Sequence, residues 1–288
     1  GAVQALALLA TRQRAFGWLA GSRFLQWGLA ALLQVGLGYL SWSEGGPGGL
    51  LAGAALALAL ALLALLLPLR AHLRGLLAVP AERWRAMARR HRDFPLLNTP
   101  HAFAGAAQDT LTLLLVALLA GDAAMGLWAL ALRYLKAPAT LVGAAVSAAL
   151  YPQLTQAASF ADARRELRRT LRTLLLLALP FALALLAAGP ALFAWAFGEP
   201  WREAGVLARS LAPYLALHFV ASPLAVVTLA WNAQAWALRF ALVGQLLFVA
   251  ALALGLQLGG LEGAGWSVSA VMLLYFGTYL GALWRWKA

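Results

Sequence analysis

Eight apolar stretches divide this chain, and eighteen of its twenty-two basic residues fall in every second gap between them. The basic gaps hold Arg12, Arg14 and Arg23; then Arg70, Arg74, Arg83, Arg85, Arg89, Arg90 and Arg92; then Arg164, Arg165, Arg168, Arg169 and Arg172; then Arg239; then Arg285 with Lys287. The other gaps are short and mostly acidic, with Glu44, Asp122, Glu199, Glu203 and Glu262. Lys and Arg near helix ends stay on the cytoplasmic side during insertion, so strict alternation gives orientation as well as class. A soluble fold has no reason to alternate in this way.

Composition agrees. The chain is 63% hydrophobic and 11% charged, with a mean hydropathy of +0.79. Apolar stretches of roughly twenty residues span a bilayer core of about 30 Å, and too little polar surface remains to solvate a globular domain. A net charge of +12 raises the question of nucleic acid. Here the cations are split among separated gaps, so topology explains them and nucleic acid is not expected as a partner. Anionic lipid headgroups on the cytoplasmic face are the expected contact. With no cysteine there is no disulfide, thiolate metal site or cysteine nucleophile.

The expected fold is all-α, a polytopic membrane helix bundle. Eight spans are read near 22–42, 48–69, 98–120, 123–150, 173–196, 206–230, 240–258 and 264–284. The third and fourth form a hairpin through Gly121 and Asp122. A short amphipathic surface helix is expected around AERWRAMARRHRDF, bracketed by Pro80 and Pro95. A second basic amphipathic helix is expected over 158–172. Trp42, Trp195, Trp201, Trp231, Trp236, Trp266, Trp284 and Trp286 fall near span ends, as interfacial anchors do. Residues 1–10 read as the end of a further helix, because a half-span alone cannot satisfy its backbone in lipid. The chain is therefore expected to lack an N-terminal portion.

Three charges fall at bilayer depth. Asp109 lies about 16 Å into the third span at 1.5 Å per residue, and Arg133 is comparably deep in the fourth. Lys136 shares the face of Arg133 at i,i+3. A central charge costs about 2.5–3.5 kcal/mol on insertion scales, so such groups mark function. An Asp109–Arg133 pair stapling the hairpin is one reading. It leaves Lys136 unpaired, which favours the other: a water-filled cavity for anionic cargo. Gln108 extends the polar face beside Asp109, with Thr112. Gln34 is mid-span in the first helix and His218 mid-span in the sixth; a lone buried His is more often structural than a relay. Asn98 is placed to cap the third helix. Pro138, Pro180, Pro213 and Pro223 lie inside spans, where proline removes a hydrogen bond and bends the helix.

Enzyme-like patterns do not hold together. His91-Arg92-Asp93 matches the start of a kinase catalytic loop, but no Gly-rich loop, strand Lys or Asp-Phe-Gly accompanies it. No His/Glu spacing suits zinc, and Ser147 and Ser222 have no matching His and carboxylate. Gly49 with Gly53 suits close helix packing. Neither an enzyme nor a cofactor nor a metal is expected.

Residues 92–100, RDFPLLNTP, resemble the start of the seventh helix in bacterial oligosaccharide flippases, the polysaccharide-transport branch of the multidrug/oligosaccharidyl-lipid/polysaccharide exporter superfamily. The stretch GLWALALRYLKAP ending at Pro138, then LVGAAVSAALYPQL up to Leu154, is similar to a following segment of that family. Upstream, ATRQRAFGWLAGSRFLQ over 10–26 resembles the start of its fifth helix. The resemblance implies two six-helix lobes around a central cavity, working by alternating access. On that map 1–69 is the remainder of the N-terminal lobe, 70–95 a basic cytoplasmic linker and 96–288 the complete C-terminal lobe. Arg133 matches the family pattern and inherits the expectation of a cationic cavity wall. Leu132 stands where many relatives have Gln. Lys136 stands where an apolar residue or Gln is usual, so its role is this chain's own.

The implied function is translocation of undecaprenyl-pyrophosphate-linked oligosaccharide across the bacterial inner membrane, with the C-terminus cytoplasmic. Arg133 and Lys136 are the first candidates for cargo contact; Asp109, Gln108, Gln34 and His218 follow. Two alternatives stand beside it. One is a cation-coupled drug or metabolite exporter using Asp109. The other is a non-transporting scaffold, which would take other polysaccharide assembly proteins as partners.

Overall fold

A computed structural model describes residues 2–40, 48–77, 79–90 and 93–286, with the side chains of 74, 76, 77, 93–95, 97 and 98 left aside. The expected roles of Trp42, Glu44, Arg74, His91, Arg92, Asn98 and Lys287 fall outside the described groups. Among the described residues every regular element is a helix and none is a strand. The chain divides into two compact units, 1–90 and 91–288.

The first unit holds α1 (Ala2–Arg12), α2 (Phe16–Phe24), a π turn (Leu25–Leu29), α3 (Ala30–Leu40), α4 (Gly48–Leu77) and α5 (Ala81–Arg90). Leu6, Ala7 and Ala10 of α1 are buried against Leu65 and Leu69 of α4. On α4, a Cβ at Gly53 would lie 2.7 Å from the Gln34 backbone nitrogen, so α3 and α4 touch backbone to backbone and need glycine there. The basic amphipathic segment is a helix, α5, and all its residues are exposed, so it buries nothing within this unit.

The second unit holds α6 (Asp93–Ala120), α7 (Asp122–Thr155), α8 (Phe160–Phe197), a 3-10 turn (Glu199–Trp201), α9 (Arg202–Ala230) and α10 (Gln234–Arg285). Among the described residues six helices are long and apolar enough to cross a membrane: α4 and α6 to α10. Eight were expected, and the difference has two causes. The run from Phe16 to Leu40 stays helical through the π turn, with right-handed helical backbone at both joins, so it covers most of the first expected span although each piece alone is short. The run from Gln234 to Arg285 contains two spans, because Gly259 and Gly260 leave helical geometry and Gly260 takes φ +58, which favours glycine. Its arms, 234–258 and 261–285, fold back on one another: Gly255 packs on Ala264, and the Tyr275 hydroxyl donates to the Phe240 carbonyl at 3.1 Å.

The basic amphipathic helix expected over 158–172 is present from Phe160, and it runs without a break into the following span as α8. Ala163, Leu167, Leu174, Ala178, Ala182, Leu185, Gly189 and Phe193 are buried at helical spacing, so one stripe continues through the boundary while the arginines ride the other faces. Ser159 caps this helix by accepting from the Asp162 amide at 3.2 Å.

Helix α9 is the centre of the unit. Within its apolar window 61% of residues are buried, against 11–28% in the other spanning helices. Small residues permit this: a Cβ at Gly205 would meet the Gly189 carbonyl oxygen of α8 at 2.4 Å, and one at Gly265 would strike Ser210. Hydroxyls from neighbours reach α9 carbonyls near its two prolines. Ser269 donates to Ser210 at 2.6 Å and Ser147 to Pro223 at 3.0 Å, supporting backbone that proline disturbs at membrane depth. At the end carrying Arg239 and Arg285, Trp231, Trp236 and Trp286 pack together, and the Arg168 guanidinium lies 4.2 Å over the Trp284 ring.

Candidate functional site

Gly121 turns α6 into α7 with φ +90, a conformation that suits glycine. Asp109 and Arg133 are equidistant in sequence from that turn, so the hairpin brings them to one level. Their groove, of about 320 Å³, is lined by Asp109, Thr112, Trp128, Arg133, Lys136 and Thr140 among others. Asp109 and Arg133 are exposed and Lys136 is half-buried. Among the described residues the ion pairs join Asp162 to Arg165, Glu199 to Arg202 and Glu262 to Arg209. None joins Asp109 to Arg133 or Lys136, so the hairpin is not stapled by that pair.

Lys136 also enters a second cavity, of about 470 Å³, inside the same unit. Its polar lining includes His101, Gln108, Tyr214, His218 and Gln245, and its aromatic wall includes Phe240, Tyr275, Phe276 and Tyr279. The Tyr214 and His218 rings, one helical turn apart, are 5.6 Å between centroids. Lys136 lines both spaces. It therefore stands in the wall between an open cationic groove and an aromatic-lined cavity.

Five of the six residues expected at a site thus converge on two adjoining spaces. Asp109, Arg133 and Lys136 share the groove; Gln108, Lys136 and His218 share the cavity. Gln34 is in the first unit, half-buried on α3 where α3 meets α4. Tyr214, Gln245 and Trp128 were not expected. The signals existed: Tyr214 and His218 sit at i,i+4, Gln245 is a second amide inside a span like Gln108, and Trp128 lies inside the fourth span, six residues past the start of α7. No group of three or more His, Asp or Glu side chains that could hold a metal occurs among the described residues.

Residues 94–206 match a family model described as polysaccharide biosynthesis protein. The matched segment carries the whole hairpin, with Asp109, Thr112, Trp128, Arg133 and Lys136. That segment is similar to the polysaccharide biosynthesis family, and the long apolar helices among the described residues suit a polytopic membrane helix bundle. Comparison with curated proteins and with solved structures gave no match.

Proposed function

We propose that this protein takes part in moving a lipid-linked oligosaccharide across the bacterial inner membrane, with its C-terminus cytoplasmic and 70–95 linking two lobes. The observation that carries the reading is the unbalanced charge of the α6–α7 groove. Arg133 and Lys136 face one carboxylate, Asp109, with no ion pair among them. Two cations at bilayer depth are costly unless hydrated or matched by an anion. The diphosphate of a lipid carrier is such an anion, and Arg presents a planar fork suited to phosphoryl oxygens. Asp109 competes for the same cations, so it would favour release over trapping. The aromatic-lined cavity next to Lys136 offers ring faces and amides of the kind that line ligand sites.

The test is Arg133→Ala, and Lys136→Ala separately, in cells whose surface polysaccharide depends on this protein. Loss of surface polysaccharide with normal membrane insertion is expected for both. Normal polysaccharide in Arg133→Ala would refute the assignment.

A further inference from the structure

Two buried polar atoms in the groove wall have no hydrogen-bond partner among the described residues. Thr112 is 3% exposed and Trp128 0%, both line the groove, and neither the Thr112 hydroxyl nor the Trp128 indole N–H is partnered. Neighbouring threonines do not share this state: Thr110 and Thr140 bond the carbonyls four residues back at 2.9 and 3.0 Å. A buried polar group left unmade is costly and calls for an explanation. An indole N–H can only donate, so what completes it must be an acceptor. The surrounding charge, two cations against one carboxylate, selects an anionic acceptor.

We infer that Thr112 and Trp128 join Arg133 and Lys136 as a four-donor seat for phosphoryl oxygens between α6 and α7. Naming phosphoryl as the anion rests on the flippase reading. A phosphoryl group has several oxygens and uses donors arriving from two helices. The cations supply attraction, while the two neutral donors fix the position of the group. Asp109 repels the same anion and is not part of the seat.

The probe is inorganic pyrophosphate, titrated into the purified full chain in phosphatidylcholine nanodiscs. Binding is read by calorimetry and by the indole ¹⁵N–¹H signal that disappears in Trp128→Phe. Saturable binding with a downfield shift of that signal is expected. Thr112→Val, nearly isosteric, should weaken binding about tenfold, and Thr112→Ser should restore it. Thr110→Val, at a residue that lines neither space and whose hydroxyl already bonds the Ala106 carbonyl, should leave it unchanged. Binding lost in Arg133→Ala but intact in Thr112→Val, with no shift of the Trp128 signal, would overturn this seat and leave the flippase reading standing. If pyrophosphate does not bind, undecaprenyl diphosphate in the same nanodiscs decides. Binding that depends on Thr112 supports the seat with a lipid as its source. Failure of both probes in the unsubstituted protein overturns the seat and the flippase reading together.

Discussion

Asp109 and Arg133 were placed at one depth by counting along two helices, and they do share a groove. Counting residues could not say whether they would touch, because contact depends on rotation about each helix axis. With no ion pair formed, Asp109 acts on the groove as a charge rather than as a staple. Asp109→Asn should therefore raise pyrophosphate affinity, by about tenfold for like charges at short range in partly hydrated surroundings, measured by calorimetry at low salt. Unchanged affinity would mean that Asp109 faces away from the bound anion. At the other extreme, the pair of Arg209 with Glu262 at 3.0 Å is 40% and 44% exposed at its side chains. Glu262→Gln should cost less than about 1 kcal/mol in unfolding. The unpartnered Trp128 was the least legible residue of all. Its place inside the span was visible, but the fate of its N–H depends on what α6 presents to it.

Helices were legible because apolar length and in-span charge carry the signal. Their ends were not, and the failures are instructive. At Arg172 the change from charged to apolar looks like a boundary, but the buried stripe through Leu167 and Leu174 continues, so α8 stays whole. At Gly259 and Gly260 the expected turn does occur, because Gly260 supplies a backbone angle other residues resist. Gly260→Ala should lower the unfolding midpoint in detergent, costing about 1 kcal/mol for the left-handed angle. Close helix approach makes a sharper test. Gly205→Ala would drive a Cβ to 2.4 Å from the Gly189 oxygen, whereas Gly126 has open space. Gly205→Ala should destabilise by about 1–3 kcal/mol. Gly126→Ala should be neutral or stabilising by up to about 1 kcal/mol, since Ala is the better helix former. Equal effects at both positions would contradict the packing described for α8 and α9.

For the whole molecule, the alternating arginines predict which helix ends share a side. A cysteine at Arg165 should label only from the cytoplasmic face and one at Glu203 only from the opposite face, in a chain with no native cysteine. Labelling of both from one side would overturn the orientation. The central claim is that the α6–α7 groove is open to water and receives anionic cargo. Ala129 and Ala137 line it beside Arg133 and Lys136 without supplying charge, so each can carry a cysteine while the cations remain. The decisive measurement is labelling of Ala129→Cys and Ala137→Cys by a charged thiol reagent in native membranes, with and without lipid-linked oligosaccharide. Labelling at both positions, suppressed by the oligosaccharide, is predicted. No labelling in correctly inserted protein, or labelling that the oligosaccharide leaves untouched, would contradict it.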